Sequence, residues 1–511
     1  MPLARTAAVA LTGLDGQLVE VECDIGTGLP GLSFTGLPDA SVNESRDRLR
    51  SALANSGAAW PNQRKVTVAL LPADVRKVGS RFDLAVGLAV LAADGQVPIE
   101  SVADAVWIAE LGLDGRLRPV RGVLPSVLAA RRLGVHKVVV AGANAAEAAL
   151  VSGMDVRCAE RLREIVEWLT GAGPALESVA RPPEPPPDAG QRDLADVMGQ
   201  TIAKRALEIA AAGGHHLFMV GVPGAGKTML AERLPGVLPP LGDRASTEVT
   251  AVHSIAGRLG ERPQLVRRPP LQAPHHTTSV AALVGGGSHL ARPGAVSLAH
   301  HGVLFLDEAP LFQPAALDAL RQPLESGHVL LHRGGGVVCY PARFQLVLAA
   351  NPCPCGQPAA RCNCAPTTRR RHDQRLSGPL MDRIDLRVHV EAVAHGELFD
   401  AATERESSAT VAARVAAARA VAAERWRDTP WEINGAVPGA TLRKPRWLLP
   451  RAALRDAEHH LEQGSLSARG FDRVLRLAWT VADLAGKTTP DADAVSEALY
   501  FRTGRASAWA A

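Results

Sequence analysis

The eight residues GVPGAGKT at positions 221–228 constrain this 511-residue chain more than any other feature. They follow an apolar run, LFMV, and lead into MLAERL, whose apolar spacing is that of a helix. A buried strand, a glycine-rich loop and a helix in that order commit the surrounding residues to a parallel α/β sheet. Gly221, Gly224 and Gly226 let backbone N–H groups wrap phosphates. Lys227 would reach the β and γ oxygens of a nucleoside triphosphate, and the Thr228 hydroxyl would ligate Mg2+. A plain glycine turn is the alternative, and the strand and helix on either side argue against it.

Two later apolar runs end in polar residues where such a sheet would present them. VLFLDE puts Asp307 in position to hold the magnesium through water and Glu308 to polarise the attacking water. QLVLAAN puts Asn351 where it would orient the same water or sense the γ-phosphate. A helix-capping acid pair and a strand-stopping asparagine before proline are the competing readings. Phosphoryl transfer also needs positive charge beyond one lysine. Arg383 in SGPLMDRIDL and Arg469 in LSARGFDR are the suppliers these patterns suggest, although the residues alone leave open ordinary surface or ion-paired roles.

The chain is long enough for about three domains, and 47% hydrophobic residues can fill more than one core. The proline-rich VARPPEPPPDAGQ marks an extended linker. It separates an α/β domain at 1–172 from a phosphate-binding core at 193–394 and a helical region at 395–511, with the linker spanning 173–192. In the first domain, QLVEVECDI, KVTVALL and HKVVVAG read as strands, and 40–55, 82–93 and 123–133 as helices. Asp114-Gly115 suits a tight primed hairpin turn. The longest apolar run, LAVGLAVLAA at 84–93, is half the ~20 residues a membrane span requires. No membrane segment and no cleaved signal are expected, which points to the cytoplasm and reduced thiols. The formal charge of +4 is too small to imply nucleic acid by itself, so the local run Arg361, Arg369, Arg370, Arg371 and Arg375 carries more information.

Four of the seven cysteines, Cys353, Cys355, Cys362 and Cys364, fall within twelve residues as two C-x-C pairs. Two close pairs on a short loop can bring four sulfurs around Zn2+ as a closed structural site. Unliganded thiols are the alternative, because C-x-C is tighter than the usual knuckle spacing. Cys23, Cys158 and Cys339 read as core residues. The adjacent His275 and His276 suggest a loop or phosphate-proximal role rather than a metal site, since neighbouring side chains diverge on most backbones.

The run DLADVMGQTIAKRALEIAAAGGHHLFMVGVPGAGKTMLAERLPGVLPPL, the later LVGGGSHLARPGAVSLAHHGVLFLDE, and ANPCPCG with RLSGPLMDRIDL resemble the magnesium-chelatase-like AAA+ ATPases of the YifB/ComM family. GLPGLSFTGLPDASVNESRDRLRSAL extends the resemblance into the first domain. It implies an α/β multi-domain fold: a Lon-protease-like N-terminal domain, an AAA+ core and a C-terminal helical lid. It also implies ATP and Mg2+ as cofactors, Asn351 as sensor 1, Arg383 as an arginine finger offered to a neighbour's ATP, and Arg469 as sensor 2. A finger acting in trans implies a homo-oligomeric ring, a hexamer.

Helicase and chelatase relatives carry a helix-2 insertion and a hairpin before sensor 1. Their counterparts here are 284–294, with Arg292, and 328–344, with Arg333; both arginines are candidate DNA contacts. The implied activity is a DNA motor driving branch migration on single-stranded or branched DNA, with a chelatase-like protein-remodelling ATPase as the second reading. In Lon-type peptidases a serine and a lysine do the chemistry. Arg81 stands at the serine's place here, with Ser80 one residue early, and Leu124 stands at the lysine's, so no peptidase activity is expected.

Overall fold

The computed structural model describes residues 3–183, 192–287, 291–333, 336–357, 361–392 and 405–504, with the Arg333 side chain also outside the described residues. The N-terminal part is built on one eight-stranded mixed sheet. Its order is Glu177–Ser178, Asp155–Ala159, Lys137–Ala141, Val106–Ile108, Ala4–Thr12, Asp15–Gly26, Lys65–Leu71 and Gly31–Thr35. Glu177–Ser178 pairs with Arg157 and Cys158, so the sheet reaches into the segment read as linker.

The apolar run that is too short for a membrane forms the helix Asp83–Ala93, and every one of its residues is buried, which explains why it is apolar on all sides. No helix among the described residues is long and apolar enough to cross a membrane. The helix Ala40–Asn55 starts at Asp39, whose carboxylate accepts the Val42 N–H at 2.9 Å and so satisfies one of the free amides of its first turn.

The turn at Asp114-Gly115 differs from the expected primed pair. Gly112 N–H donates to Arg116 O at 2.9 Å, which closes a three-residue loop over Leu113, Asp114 and Gly115. Only Gly115 has positive φ, at 76°. One left-handed residue suits a three-residue loop, whereas a type I′ pair requires two.

The second sheet has five strands in the order Leu271–Gln272, Val303–Leu306, Gln345–Ala350, Leu217–Gly221 and Leu386–Val390, every neighbouring pair parallel. Its central strands are buried on both faces, and alternate side chains feed different cores. Leu217, Met219, Phe305, Val347 and Ala349 pack under helices Thr201–Gly213 and Lys227–Val237. Leu304, Leu306, Leu346 and Leu348 pack on the opposite face.

The first of these cores is continuous with the C-terminal helices Ser408–Arg425, Arg451–Glu462, Ala468–Leu484 and Ala492–Thr503. Trp426 and Trp447 lie 4.6 Å apart between ring centroids, Trp479 sits edge-on to Trp447 at 6.0 Å, and the Arg425 guanidinium lies 4.4 Å over Trp479. These contacts hold the helix Ala468–Leu484 in place. The expected boundary at 394/395 lies outside the described residues.

The N-terminal part docks on the helix Asp243–Ala256 and on the hairpin of His328–Arg333 and Gly336–Pro341. The Glu147 carboxylate accepts from Leu124 N–H at 2.8 Å and from the Ser254 hydroxyl across the interface; burial pushes its pKa up. The turn joining the first two strands presses on the hairpin of His328–Arg333 and Gly336–Pro341. Gly13 has φ +65°, and a Cβ there would lie 2.7 Å from the Cys339 carbonyl oxygen, so the close approach requires glycine. Cys339, expected in a core, is exposed, and Cys158 is only half-buried. Cys339 lies on the outward-facing set of a two-stranded ribbon with a single packed face.

Candidate nucleotide site

The glycine-rich loop joins Leu217–Gly221 to the helix beginning at Lys227. Lys227 is only 7% exposed. Its ammonium donates to Gly221 O at 2.7 Å, Val222 O at 3.0 Å and the Asn351 side-chain oxygen at 3.1 Å. Burial lowers its pKa, against the opposing pull of Asp307 and Glu308. The Thr228 hydroxyl donates to Asp307 Oδ2 at 2.8 Å, and Asp307 Oδ1 accepts the Glu308 N–H at 2.9 Å. Five predicted residues from three segments thus meet at the C-terminal ends of three adjacent parallel strands. That is where an open α/β sheet leaves room for a ligand.

Glu308 has φ +50°, a left-handed conformation uncommon for a glutamate and typical of strained functional positions. His276 Nδ1 lies 3.7 Å from Glu308 Oε2. The rings of His275 and His276 do not diverge: their centroids are 4.0 Å apart. Sequence reasoning also missed Gln200. Its left-handed backbone (φ +59°) leads into the helix Thr201–Gly213, and its amide donates to Ala225 O at 3.0 Å and to Glu391 O. Beside it, Val197, Met198, Gly199 and Val411 line a cavity of about 730 Å³.

Arg383 and Arg469 lie elsewhere. Both line a 350 Å³ cavity with Arg473, Arg476, Gly214 and His216. Gly214 and His216 precede the strand Leu217–Gly221, so this pocket is at the opposite end of the sheet from the glycine-rich loop. Arg383 pairs with Glu325, and the Nε atoms of Arg383, Arg473 and Arg476 are buried without a hydrogen-bond partner. Asp385 organises the pocket. Burial alone would raise its pKa, but Arg473 and His215 hold it well below the carboxylate range. Its second oxygen accepts His216 N–H at 3.1 Å, tying the helix Ala468–Leu484 to the base of the sheet. The DRID tetrapeptide carried this signal, because Asp385 is two residues past Arg383 and immediately before the strand Leu386–Val390.

Two groups of side chains among the described residues have metal-ligand geometry. The sulfurs of Cys353, Cys355, Cys362 and Cys364 all lie within 4.8 Å of one another, with Cys355–Cys362 at 3.6 Å and Cys362–Cys353 at 3.4 Å. These separations are close to the ~3.8 Å edge of a tetrahedron with Zn–S bonds of ~2.3 Å. The donor set fits zinc.

The second group, Glu248, His300 and His301, was not anticipated. His301 has φ +53°, which swings its ring to within 4.1 Å of the His300 ring, and both Nε2 atoms approach Glu248 Oε2, at 3.2 and 3.5 Å. His300 Nδ1 accepts the Arg343 N–H at 3.1 Å, so its proton is on Nε2 and is donated to Glu248. A ring nitrogen carrying its proton is no metal ligand. This group is a hydrogen-bonded brace. It holds Glu248 at a pKa of about 2, chiefly through His300, while burial pulls His301 to about 4.

The hairpin expected before Asn351 is present, and the expected insertion at 284–294 also brings two short strands together. Gly285–Gly286 pairs with Arg292–Pro293, and His328–Arg333 with Gly336–Pro341. Tyr340 donates to Ala291 O at 2.7 Å, so the hairpins pack together, and Arg292 is exposed. In the N-terminal part, Ser80 donates to Glu110, Arg81 donates to the Ser126 hydroxyl at 3.1 Å and to Arg121 O at 2.9 Å, and Leu124 is buried.

Family models for magnesium chelatase subunit ChlI match this chain over 193–398, 21–144 and, for its C-terminal region, 405–502. YifB of Escherichia coli is 40% identical over 503 residues, covering 98% of this chain and 97% of its own length. The competence protein ComM of Haemophilus influenzae is 40% identical over 506 residues, 98% of each chain. The chain belongs to the YifB/ComM family of magnesium-chelatase-like AAA+ ATPases. The uncharacterized protein Rv2897c of Mycobacterium tuberculosis is 52% identical over 503 residues, 98% of this chain and 99% of its own. The mixed α/β architecture, with a parallel core sheet and a helical C-terminal region, is that expected of a YifB/ComM protein.

Proposed function

We propose that this chain is an ATP-hydrolysing, ring-forming motor that acts on DNA, and that Arg383 and Arg469 both serve the nucleotide of a neighbouring subunit. The observation that carries the ring is the arginine pocket at the far end of the sheet from the glycine-rich loop of the same chain. Guanidinium groups there are out of reach of their own phosphates. A neighbour whose nucleotide faced the pocket would meet four arginines.

In this reading the amides of Gly221, Gly224 and Gly226 and the Lys227 ammonium hold the phosphates, and Val197, Met198 and Gly199 receive the base. Thr228 and Asp307 hold Mg2+, which when bound neutralises developing phosphate charge. Glu308 takes a proton from the attacking water, which Asn351 orients. Cys353, Cys355, Cys362 and Cys364 hold a structural Zn2+. The first domain keeps a Lon-like fold without peptidase chemistry, because Arg81 and Leu124 occupy the positions a serine and a lysine would need. The domains run 1–172, 193–394 and 395–511, joined at 173–192 by the proline-rich linker, and the chain works in the cytoplasm as a hexamer.

The paired hairpins, with Arg292 exposed and Arg333 at the end of its strand, support a polyanion passing through the ring. Arginines grip phosphates without reading bases, so binding should be sequence-independent and salt-sensitive. A competence protein among the full-length relatives supports DNA as the substrate. The test is ATP turnover with and without branched, single-stranded and duplex DNA at low salt. Stimulation by branched or single-stranded DNA is expected. Turnover indifferent to all three overturns the DNA assignment in favour of a chelatase-like protein-remodelling ATPase.

A further inference from the structure

The four-thiol knot sits on the phosphate loop itself. Gly356 N–H donates to Cys353 O at 2.9 Å, which turns the chain between the first two sulfurs, and Gly356 takes φ +70°. Its backbone lies against Pro223 in the glycine-rich loop: a Cβ at position 356 would be 2.9 Å from Pro223 Cγ. On its other side the knot begins two residues after Asn351, and Cys353 is buried. The second pair of cysteines leads into the helix Pro366–Asp373, whose buried His372 bonds the Asn351 carbonyl through Nε2 at 3.1 Å. Arg375, just beyond, donates to Pro310 O at 3.2 Å, two residues past Glu308. One compact knot therefore touches or leads directly to three walls of the nucleotide site: the phosphate loop, the Asn351 strand end and the turn after Glu308.

We propose that this knot is a metal-loaded brace for the phosphate loop, so that Zn2+ and nucleotide strengthen each other's binding; the inference rests on the zinc and nucleotide readings above. Zinc bound by four thiolates displaces the thiol protons to solvent and leaves a site of formal charge −2. The basic run Arg361, Arg369, Arg370 and Arg371 lies directly beside it in sequence and compensates that charge. With the sulfurs drawn onto one ion, Gly356 is pinned against Pro223, and the loop keeps the shape in which its amides converge. Without the ion, the contacts between the two C-x-C arms among the described residues are weak thiol–thiol ones. A coupling of this kind is reciprocal: whatever factor zinc adds to nucleotide affinity, nucleotide adds to zinc affinity.

The experiment uses the full chain, purified under reducing conditions without chelator. Zinc release to a chromophoric chelator is timed alone, with ADP and with a non-hydrolysable ATP analogue, and ADP affinity is measured before stripping, after stripping and after Zn2+ is restored. Nucleotide is expected to slow release at least about fivefold, and stripping to weaken ADP binding by a similar factor, recovered on reloading; fivefold is the lower end of typical couplings. Gly356→Ala keeps all four thiols and is expected to retain zinc while losing most of the mutual effect.

Equal release rates with and without nucleotide, in a chain that binds both, overturn the brace and leave the two sites standing separately. A chain that carries no zinc as purified overturns the metal reading and the brace with it. A zinc-loaded chain that binds no ADP overturns the nucleotide reading instead.

Discussion

The Lys227 ammonium donates to the Asn351 side-chain oxygen at 3.1 Å, joining the phosphate loop to the end of the neighbouring parallel strand. The two residues are 124 positions apart in sequence. They meet because Leu217–Gly221 and Gln345–Ala350 are adjacent and in parallel register, so both chains leave the sheet on the same side. The acidic pair leaves from the next strand over, with Asp307 on the Thr228 hydroxyl.

Lys227→Ala is expected to abolish ATP binding. Glu308→Gln should keep ATP bound while turnover falls by roughly 10²- to 10⁴-fold, the usual scale for losing a general base. Equilibrium nucleotide binding and steady-state phosphate release separate the two. Normal turnover by the Glu308 variant refutes its assignment.

If Arg383 and Arg469 act on a neighbour's phosphates, Arg383→Ala and Arg469→Ala chains should bind ATP yet hydrolyse it poorly. Mixing either with the Glu308→Gln chain should restore part of the activity, since some interfaces then pair an intact glutamate with an intact arginine. No recovery at any mixing ratio, in rings shown to exchange subunits, counts against action in trans.

Arg333→Ala should leave basal hydrolysis near the parent value and lower its stimulation by DNA. On duplex DNA the salt slope should shallow by about 0.9 for every phosphate that the ring no longer neutralises. Stimulation and salt slope both equal to the parent's would remove the hairpin as the gripping element.

His301 sets an acid limit on stability. Its folded pKa of about 4 lies below its ordinary 6.5, so the folded chain binds that proton less readily than the unfolded one. The stability it protects is complete above pH 6.5 and is lost as pH falls from 6.5 toward 4, by up to about 3 kcal/mol at ~1.4 kcal/mol per unit. His301→Gln should flatten the fall in melting temperature across that window. A parent-like profile in the variant assigns the acid loss to other groups.

The Lon-like reading predicts no casein or peptide hydrolysis with ATP present. Ser80 donates to the Glu110 carboxylate, and Leu124 stands where the activating lysine would be, so cleavage that disappears in Ser80→Ala would show the domain to be a peptidase.

How far the residues alone could be read follows from what local pattern carries. GVPGAGKT between an apolar strand and a helix, VLFLDE and QLVLAAN each hold their meaning within a dozen residues. A buried parallel strand presents its functional group at its C-terminal end wherever it sits in the sheet. The helix Ala40–Asn55 and the strand Lys65–Leu71 were legible for the same reason, and four thiols in twelve residues needed only proximity along the chain.

Long-range packing decided the rest. The opposite placement of Arg383 and Arg469 depends on strand order and on a lid fixed by Trp426, Trp447 and the Asp385–Arg473 pair, contacts spanning tens of residues that no periodicity records. The left-handed backbones of Gln200 and Glu308 are imposed by their surroundings on residue types that do not favour them, and that of His301 by contacts no local pattern records, so nothing in the sequence announced them. Gly356 shows the limit most plainly. Its local turn could be guessed from CPCG, but its contact with Pro223, far earlier in the chain, exists only because two parallel strands end side by side.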